Sequence, residues 1–365
     1  MDDRSRRTLS VVIAGGGTGG HLYPGIAVAT EFMRRRPDAR ITFAGTAAGL
    51  EARIVPQEGF TLDLIKSAGL KGKSWRARAT AGLLIAPSLR DAWLLIGRRR
   101  PDVVIGVGGF SSGPVVLAAV LRGIPTMVLE QNAVPGLTNR LLARLVRAAA
   151  VTYEETLPFF GQRGFVSGNP VRAEFFAPAS NGGQEVREAR HVLILGGSQG
   201  AHAVNVIVVG GSARLLARHP NVQMVHQTGA RDLAEVREGY ARAGVPARAE
   251  AFFDRVATEL VAADLVVCRA GATTLAELAA TGRPAILVPL PTATDDHQRK
   301  NARVLADAGG ALVVEQTIGG DGLADTIAAL LDAPDRLQAM GLAMKSLAKP
   351  DAARRIVDRA LELVR

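Results

Sequence analysis

The chain has 365 residues, 48% of them apolar, which is long enough for two domains of average size and excludes a disordered protein. The single cysteine, Cys268, excludes an internal disulfide framework and a zinc site built from several thiolates, and it fits a reducing compartment. The net charge of +10 lies entirely in residues 1–170, with 22 basic and 12 acidic residues against 22 of each in 171–365, so the N-terminal half is expected to face something anionic.

Runs rich in β-branched residues alternate with Ala- and Leu-rich helical runs along the whole chain, a pattern typical of parallel α/β sheets. In the first half, the predicted strands are Leu9–Ala14, Ile41–Ala44, Val103–Val107 and Thr126–Leu129, and the predicted helices are Pro24–Arg35 and Pro114–Leu121. The pattern then restarts, with strands at His191–Leu195, Val222–His226, Leu265–Cys268 and Ile286–Val288 and helices at Ala201–Val209 and Thr273–Ala280. Ala177–Gln184 is the predicted linker, and no segment is predicted to span a membrane.

The two halves resemble each other. PDVVIGVGG ends at Gly109, and ADLVVCRAG ends at Gly271. Each stretch is followed by a helical run and then by Gly-x-Pro, at Gly123–Pro125 and at Gly282–Pro284. This repeat predicts two similar Rossmann-like domains that face a cleft.

The first glycine loop, Gly15–Gly20, fits G-x-G-x-x-G between a strand and a helix, where the backbone can approach an anion. A dinucleotide site also needs an acidic residue about 20 positions later, for the ribose. No Asp or Glu occurs between Ala39 and Leu50, which disfavours NAD. A tight turn without a ligand is the alternative for this motif taken alone.

The second glycine loop, Gly196–Gly200, fits G-x-S-x-G, the nucleophile elbow of hydrolases, which needs Asp and His later in the chain. Asp264 and His297 do follow. Because Asp264 opens its strand, however, it lies at the sheet edge opposite Ser198. The pattern therefore favours Ser198 as a phosphate ligand at a helix start.

The third strand-to-helix loop begins at Gly271, and either Thr273 or Thr274 can cap the helix that follows. Glu277 can accept both hydroxyls of a ribose, but the spacing from Thr274 equally fits a capping box. Both interpretations stay open from the spacing alone. No D-x-D motif occurs and the six histidines are scattered, so no divalent metal site is predicted.

Seven motifs occur together and in order: GGTGGH (16–21), GGFSSGP (108–114), EQN (130–132), GNPVR (168–172), GGSQGA (196–201), CRAGATTLAE (268–277) and DDHQ (295–298). With them the chain resembles the bacterial N-acetylglucosaminyltransferases that convert undecaprenyl-pyrophosphoryl-MurNAc-pentapeptide (lipid I) into lipid II. The resemblance implies an α/β glycosyltransferase-B fold, with an acceptor- and membrane-docking domain at 1–175 and a UDP-GlcNAc-binding domain at 185–346. It also implies a last helix, 350–365, that crosses back to the first domain.

The same resemblance implies which residues bind the donor. Ser198 and Thr274 would contact the diphosphate, Glu277 the ribose, and the backbone around Phe253 the uracil. Arg172 would lie close to the nucleotide, while Asn132 and Gln298 would hold the sugar hydroxyls. The other residues expected at the donor are Thr18, Gly19, Gly20, Ala272, Thr273, Leu275 and Ala276.

On the acceptor side, the resemblance implies a general base and two loops that receive the lipid pyrophosphate. His21 is the candidate base, and the alternative is that it bonds to the loop or to the acceptor diphosphate. The residues expected at the pyrophosphate are Gly16, Gly17, Gly109, Ser111, Ser112 and Glu130. The chain departs from the family pattern at Leu129, where His is frequent, and at Phe110, where Tyr is common, so two proton acceptors are absent.

A lipid acceptor implies a peripheral enzyme on the cytoplasmic face of the plasma membrane, with anionic phospholipids and other cell-wall and division proteins as expected partners. Within 70–100, the residues expected at the membrane are Trp75, Arg76, Leu83 and Leu84. The alternative is an ordinary amphipathic core helix, which is favoured for Trp93. No cofactor is expected, and nucleic acid is disfavoured because no recognisable binding motif occurs. The nearest rival functions are another glycosyltransferase of this fold and a UDP-GlcNAc epimerase.

Overall fold

The computed structural model describes residues 8–66, 85–177, 190–197 and 200–364. The chain divides into two compact units by its internal contacts. Unit 1 contains the residues up to Arg172 together with Lys349 onwards, and unit 2 contains Ala173–Ala348. The predicted linker, Ala177–Gln184, falls almost wholly outside the described residues, and the division between the units lies before it.

Unit 1 is built on a seven-stranded sheet in which all neighbouring strands are parallel. Its strands are β1 Ser10–Gly15, β2 Arg40–Gly45, β3 Thr61–Leu64, β4 Val103–Gly108, β5 Thr126–Glu130, β6 Ala148–Val151 and β7 Gly164–Val166. Their order across the sheet is β3-β2-β1-β4-β5-β6-β7, so the winding of the chain reverses between β1 and β4. Ligands of doubly wound sheets bind beyond the carboxyl ends of the strands at such a reversal.

Helices cover both faces of this sheet. They are α1 Gly19–Arg35, α2 Glu51–Gln57, α3 Ile85–Arg99, α4 Ser112–Leu121, α5 Leu137–Leu142 and, from the end of the chain, α13 Ala352–Val364. Side chains of β1 alternate between the two faces: Val11 and Ile13 belong to one buried cluster, and Val12 and Ala14 to the other. A strand buried on both faces reads as a continuous apolar run, as seen in the sequence.

Unit 2 repeats the plan with a six-stranded parallel sheet, in the order β10-β9-β8-β11-β12-β13. Its strands are β8 His191–Leu195, β9 Gln223–Gln227, β10 Ala247–Glu250, β11 Leu265–Cys268, β12 Ala285–Leu287 and β13 Ala311–Val313. Its helices are α6 His202–Arg218, α7 Leu233–Arg242, α8 Val256–Ala262, α9 Ala272–Thr281, α10 His297–Asp307, α11 Gly319–Leu331 and α12 Pro334–Ser346. The reversal here lies between β8 and β11, directly before the second and third glycine loops.

The strands located by the sequence pattern all form, with ends shifted by no more than one residue. Helix α1 differs more, because it begins at Gly19 rather than at Pro24. Proline is favoured in the first turn of a helix, where its missing N–H costs nothing, but Pro24 lies inside α1. The glycine loop is therefore shorter than predicted, and His21 lies on the first turn of the helix.

Candidate active site

In unit 1, the glycine-rich loops after β1 and β4 lie against each other. Gly16, Gly17 and Gly109 all have positive φ values, which only glycine adopts without strain. A Cβ atom on Gly109 would stand 2.6 Å from the carbonyl oxygen of Gly16, so no side chain fits there. The glycines therefore allow two backbones to touch at the reversal point of the sheet.

His21 lies at this junction. Its Nδ1 is 3.3 Å from the hydroxyl of Thr18, and its ring packs on Gly108, where a Cβ would stand 2.6 Å from the imidazole Cδ2. Thr18 is the N-cap residue of α1 but forms no side-chain cap hydrogen bond, and the first turn contains no acidic residue. The positive end of the helix dipole therefore favours an anion beside the first turn of α1.

The structure corrects four of the residues expected at the lipid pyrophosphate. The N–H of Gly17 donates to the Oε2 atom of Glu51 at 2.7 Å, so it is not available to a substrate. The hydroxyl of Ser112 is buried against β4, where a Cβ on Gly106 would overlap it, so only the backbone of Ser112 can meet an anion. Ser111 is also buried.

Glu130 is the fourth correction, since its carboxylate faces the protein. It accepts hydrogen bonds from the backbone N–H groups of Asn132 at 3.0 Å and Gly136 at 2.9 Å. It also accepts from the amides of Asn132 at 3.3 Å and Asn139 at 2.8 Å. Burial raises the pKa of Glu130, and these four hydrogen bonds act against that rise. Glu130 therefore fixes the loop 131–136, and part of the Asn132 amide is used in the same network.

Arg172 and Trp93 are placed by cation–π contacts within unit 1. The guanidinium of Arg172 stands 4.5 Å from the ring centroid of Tyr23 on α1. Trp93 on α3 is 41% exposed, so its predicted place in the core is wrong. Its ring lies under the guanidinium of Arg122 at 4.1 Å, a contact that suits an exposed tryptophan. The expected membrane residues Trp75, Arg76, Leu83 and Leu84 lie outside the described residues.

In unit 2, the third glycine loop leads into α9. The N-cap residue is Gly271, without a side-chain cap hydrogen bond, so neither Thr273 nor Thr274 caps the helix and the capping-box interpretation is wrong. Thr273 and Thr274 instead lie in the first turn, with Ala272, Leu275 and Ala276, where helix N–H groups and the dipole favour an anion. Glu277, one turn further, is 91% buried. Together with burial, its charge raises the pKa of Cys268 to about 12.

The segment after β12 holds Gln298 in place. Asp295 and Asp296 both adopt left-handed backbone conformations, with φ values of 52° and 53°, which is strained for non-glycine residues. Helix α10 starts directly after them, and the Oε1 atom of Gln298 accepts the N–H of Leu290 at 3.0 Å. This hydrogen bond fixes the amide so that its NH₂ group is the part left for a ligand.

Arg269 ties the neighbouring loops together. Its guanidinium donates to the carbonyls of Val288 at 3.0 Å and Pro289 at 3.1 Å, and to the amide oxygen of Gln316 at 3.1 Å. Phe253 is buried beneath Arg248, whose guanidinium is 5.0 Å from the ring centroid. Only the backbone at Phe253 can therefore meet a ligand, which is the form of contact that the sequence resemblance implies.

Ser198 lies outside the described residues, but the support of its loop is visible. The amide of Gln227 donates to the carbonyl of Gly197 at 3.0 Å, and the N–H of Gly196 donates to the carbonyl of Gln227 at 2.9 Å. At the other end of the loop, a Cβ on Gly200 would stand 2.7 Å from the carbonyl of Thr228, so Gly200 packs closely on the same segment. Residues 227–228 therefore contact both ends of the loop.

A buried polar network that the sequence analysis missed lies behind this loop. Asn205 donates its amide to the carbonyl of Thr228 and to the carboxylate of Asp232, both at 2.9 Å. Its oxygen therefore accepts from the Nε2 atom of His226 at 3.0 Å, and the Nδ1 atom of His226 accepts from the hydroxyl of Tyr240 at 2.9 Å. Burial lowers the pKa of His226 to about 4, so the ring is neutral.

Among the described residues, His202, Asp232 and Glu235 form the group that could offer three metal ligands close together. They border a cavity of about 180 Å³ between α6 and α7. His202 already hydrogen-bonds to Asp232 at 3.1 Å, and Asp232 also accepts from Asn205. The prediction that no metal takes part stays a prediction.

No helix in the described ranges is both long enough and apolar enough to cross a membrane. The family model for the glycosyltransferase family 28 N-terminal domain matches residues 11–151, and the model for the C-terminal domain of that family matches residues 191–356.

The chain is also similar to curated proteins over nearly its whole length. The UDP-N-acetylglucosamine–N-acetylmuramyl-(pentapeptide) pyrophosphoryl-undecaprenol N-acetylglucosamine transferase of Anaeromyxobacter sp. (strain K) is 46% identical, over 98% of this chain and 94% of its own. The protein of the same name from Myxococcus xanthus is 43% identical, over 98% of this chain and 93% of its own.

The chain is also similar to solved structures over nearly its whole length. The crystal structure of Acinetobacter baumannii MurG matches with a TM-score of 0.75 at 29% identity, covering 97% of this chain and 99% of its own. The UDP-GlcNAc 2-epimerase from Neisseria meningitidis, bound to UDP-GlcNAc, shares the fold, with a TM-score of 0.71 at 12% identity over 98% of this chain and 100% of its own. The predicted α/β glycosyltransferase-B fold is therefore confirmed, and the chain belongs to glycosyltransferase family 28.

Proposed function

We propose that this chain transfers N-acetylglucosamine from UDP-GlcNAc to the C4 hydroxyl of MurNAc in undecaprenyl-pyrophosphoryl-MurNAc-pentapeptide, with inversion at the anomeric carbon. The product is lipid II, the precursor of peptidoglycan. The observation that carries the proposal is the 46% identity, over 98% of the chain, to a relative whose name states this reaction. The two glycine-rich units supply the anion-binding backbone that a nucleotide donor and a pyrophosphate acceptor both require.

Unit 2 is proposed to bind the donor. The first turn of α9 and Ser198 would face the diphosphate, Glu277 would accept the ribose hydroxyls, and the NH₂ group of Gln298 would donate to the sugar. Departure of UDP needs stabilisation of its growing negative charge, and fixed donors at helix starts provide this without a metal ion. Removing one such donor costs roughly 3–4 kcal/mol of transition-state stabilisation in well-studied enzymes.

Unit 1 is proposed to bind the acceptor. The first turn of α1 and the paired loops at Gly16 and Gly109 would receive the lipid pyrophosphate. Gly19 and Gly20, which the sequence resemblance assigns to the donor, are therefore proposed to serve the acceptor. His21 is the proposed general base, because a neutral imidazole at the start of α1 can take the proton of the attacking hydroxyl. We expect His21→Ala to lower turnover far more than donor affinity, and an unchanged turnover would remove His21 from the mechanism.

Because the acceptor is a membrane lipid, we propose that unit 1 docks on the anionic cytoplasmic surface of the plasma membrane. Three leucines at four-residue spacing, Leu137, Leu141 and Leu145, are exposed at and after α5, and Arg140 and Arg144 between them are exposed as well. Apolar side chains flanked by arginine suit the boundary between headgroups and acyl chains.

Co-sedimentation with vesicles tests the docking. Wild-type protein should bind vesicles that contain anionic lipid more strongly than neutral ones, and Leu141→Glu should weaken binding. Leu342→Glu is the matched control, because Leu342 is an equally exposed leucine on α12 of unit 2. Binding that ignores both lipid charge and Leu141→Glu would contradict the proposal.

An assay with radiolabelled UDP-GlcNAc and a lipid I analogue, with and without a chelator, tests the transfer reaction. We expect label in the lipid product in both conditions, and loss of transfer on chelation would overturn the metal-free mechanism. Formation of UDP-N-acetylmannosamine without an acceptor would instead identify an epimerase. In calorimetry, UDP should bind and NAD should not.

A further inference from the structure

Glu51, the first residue of α2, is fully buried beneath the first glycine loop. Its Oε2 atom accepts the N–H of Gly17 at 2.7 Å. Its Oε1 atom accepts both the N–H and the hydroxyl of Thr46, at 2.8 and 2.9 Å. Within the described ranges, no lysine or arginine forms an ion pair with this carboxylate, so three hydrogen-bond donors replace a cation.

Three glycines make the space for this carboxylate. A Cβ atom on Gly16 would stand 2.5 Å from the Glu51 carboxyl carbon, and a Cβ on Gly45 or Gly49 would also overlap the side chain. Gly16 lies in the loop after β1, Gly45 is the last residue of β2, and Gly49 lies in the loop after β2. Glu51 therefore joins two backbone segments that are far apart in sequence, and its chain length suits the space that they leave.

The hydrogen bond to Gly17 sets the orientation of the Gly16–Gly17 peptide group. The same peptide brings the carbonyl of Gly16 against Gly109, the contact that aligns the two loops of unit 1. It also precedes Thr18, the N-cap residue of α1, and hence His21. The N–H of Gly17 is already bonded to the Glu51 carboxylate and does not point to a pyrophosphate, so the first turn of α1 is the place that favours the anion.

We propose that Glu51 is a positioning residue for the acceptor: it touches no substrate, but it sets the orientation of the loop 15–18 and therefore where the lipid pyrophosphate meets α1. This inference rests on the proposed function of unit 1. It predicts that disturbing Glu51 changes use of the acceptor and leaves use of the donor unaltered, because the hydrogen bonds of Glu51 to Gly17 and Thr46 lie within unit 1, which is proposed to bind the acceptor.

Glu51→Gln is the sharpest test, because an amide has the same shape but only one acceptor oxygen. Either Gly17 or Thr46 then loses its partner. With a lipid I analogue, the acceptor KM should rise by about tenfold, the scale of one lost buried hydrogen bond, and the donor KM should stay within about twofold. Glu58→Gln is the matched control, since Glu58 lies exposed at the end of the same helix.

Thr46→Val is the second variant, in case Glu51→Gln folds poorly. It removes one of the three donors and should change the acceptor KM in the same direction, by less. If Glu51→Gln lowers kcat and thermal stability together while both KM values stay as in wild type, the role is merely structural and the proposal is overturned.

Hydrogen–deuterium exchange separates this proposal from the proposed function. Peptides covering 15–22 should exchange faster in Glu51→Gln than in wild type or Glu58→Gln, whether or not transfer is detected. Unchanged exchange there would overturn the positioning role. Absence of transfer by the wild type, with faster exchange in the variant, would instead overturn the proposed function alone.

Discussion

The buried imidazole of His226 makes the stability of unit 2 depend on pH. Burial lowers its pKa from 6.5 to about 4 in the folded protein. At pH values between these two pKa values, the unfolded chain binds more protons than the folded one, so the free energy of unfolding falls as the pH decreases. The loss is about 2 kcal/mol at pH 5 relative to pH 8, and about 3 kcal/mol in total below pH 4.

Cys268 provides an assay that reports on unit 2 alone. It is the single cysteine of the chain, it is buried, and its strand pairs with β8, which in turn pairs with the strand of His226. Urea unfolding at pH 8 and pH 5 would be followed with a disulfide reagent that reacts at acid pH. His226→Gln should lose less stability on acidification than wild type, by about 2 kcal/mol. His297→Gln is the control, because the His297 imidazole bonds to the carbonyl of Thr294, outside this network. An equal loss of stability in wild type and His226→Gln would refute the argument.

Three further predictions concern the loops. Gly109→Ala should abolish use of the acceptor, because the added Cβ would overlap the carbonyl of Gly16, while UDP binding measured by calorimetry stays unchanged. Gly123→Ala is the control: Gly123 also has a positive φ but has open space around it, so the substitution should lower the free energy of unfolding by only about 1 kcal/mol. Glu277→Gln should weaken UDP binding about tenfold, by calorimetry, and equal affinity would remove it from the ribose site. Arg269→Lys should lower the unfolding free energy of unit 2 by about 1–3 kcal/mol, because one ammonium cannot replace three directed hydrogen bonds.

Most of the fold could be predicted from the sequence because its central strands are continuous apolar runs that end at glycine loops. The strands that were not located lack this signal. β6 is Ala-Ala-Ala-Val, and β10 is Ala-Arg-Ala-Glu at a sheet edge, where side chains need not be apolar. Their strand conformation comes from pairing with neighbours, which local propensity does not encode.

The loops of the candidate site could be predicted because glycine spacing reflects close backbone approach. The side chains that hold these loops in place could not be predicted. Glu51 lies 34 residues from Gly17, and Glu130 looks like a ligand in sequence although its carboxylate serves its own loop. A carboxylate near a motif does not reveal which way it points. The sequence feature that could have indicated the buried position of Glu51 is the pair of glycines at 45 and 49, where a Cβ would overlap its side chain.

The return of α13 to unit 1 has a consequence for biosynthesis. Ile356, Val357 and Ala360 are completely buried in the same cluster as Val11 and Ile13, and each large apolar side chain contributes roughly 1.5–3 kcal/mol when buried. During vectorial synthesis, unit 2 emerges from the ribosome with all of its own residues before unit 1 has received this helix. The unit that is translated first is therefore the last to complete its core. An apolar face of its sheet stays uncovered while more than 170 further residues are synthesised.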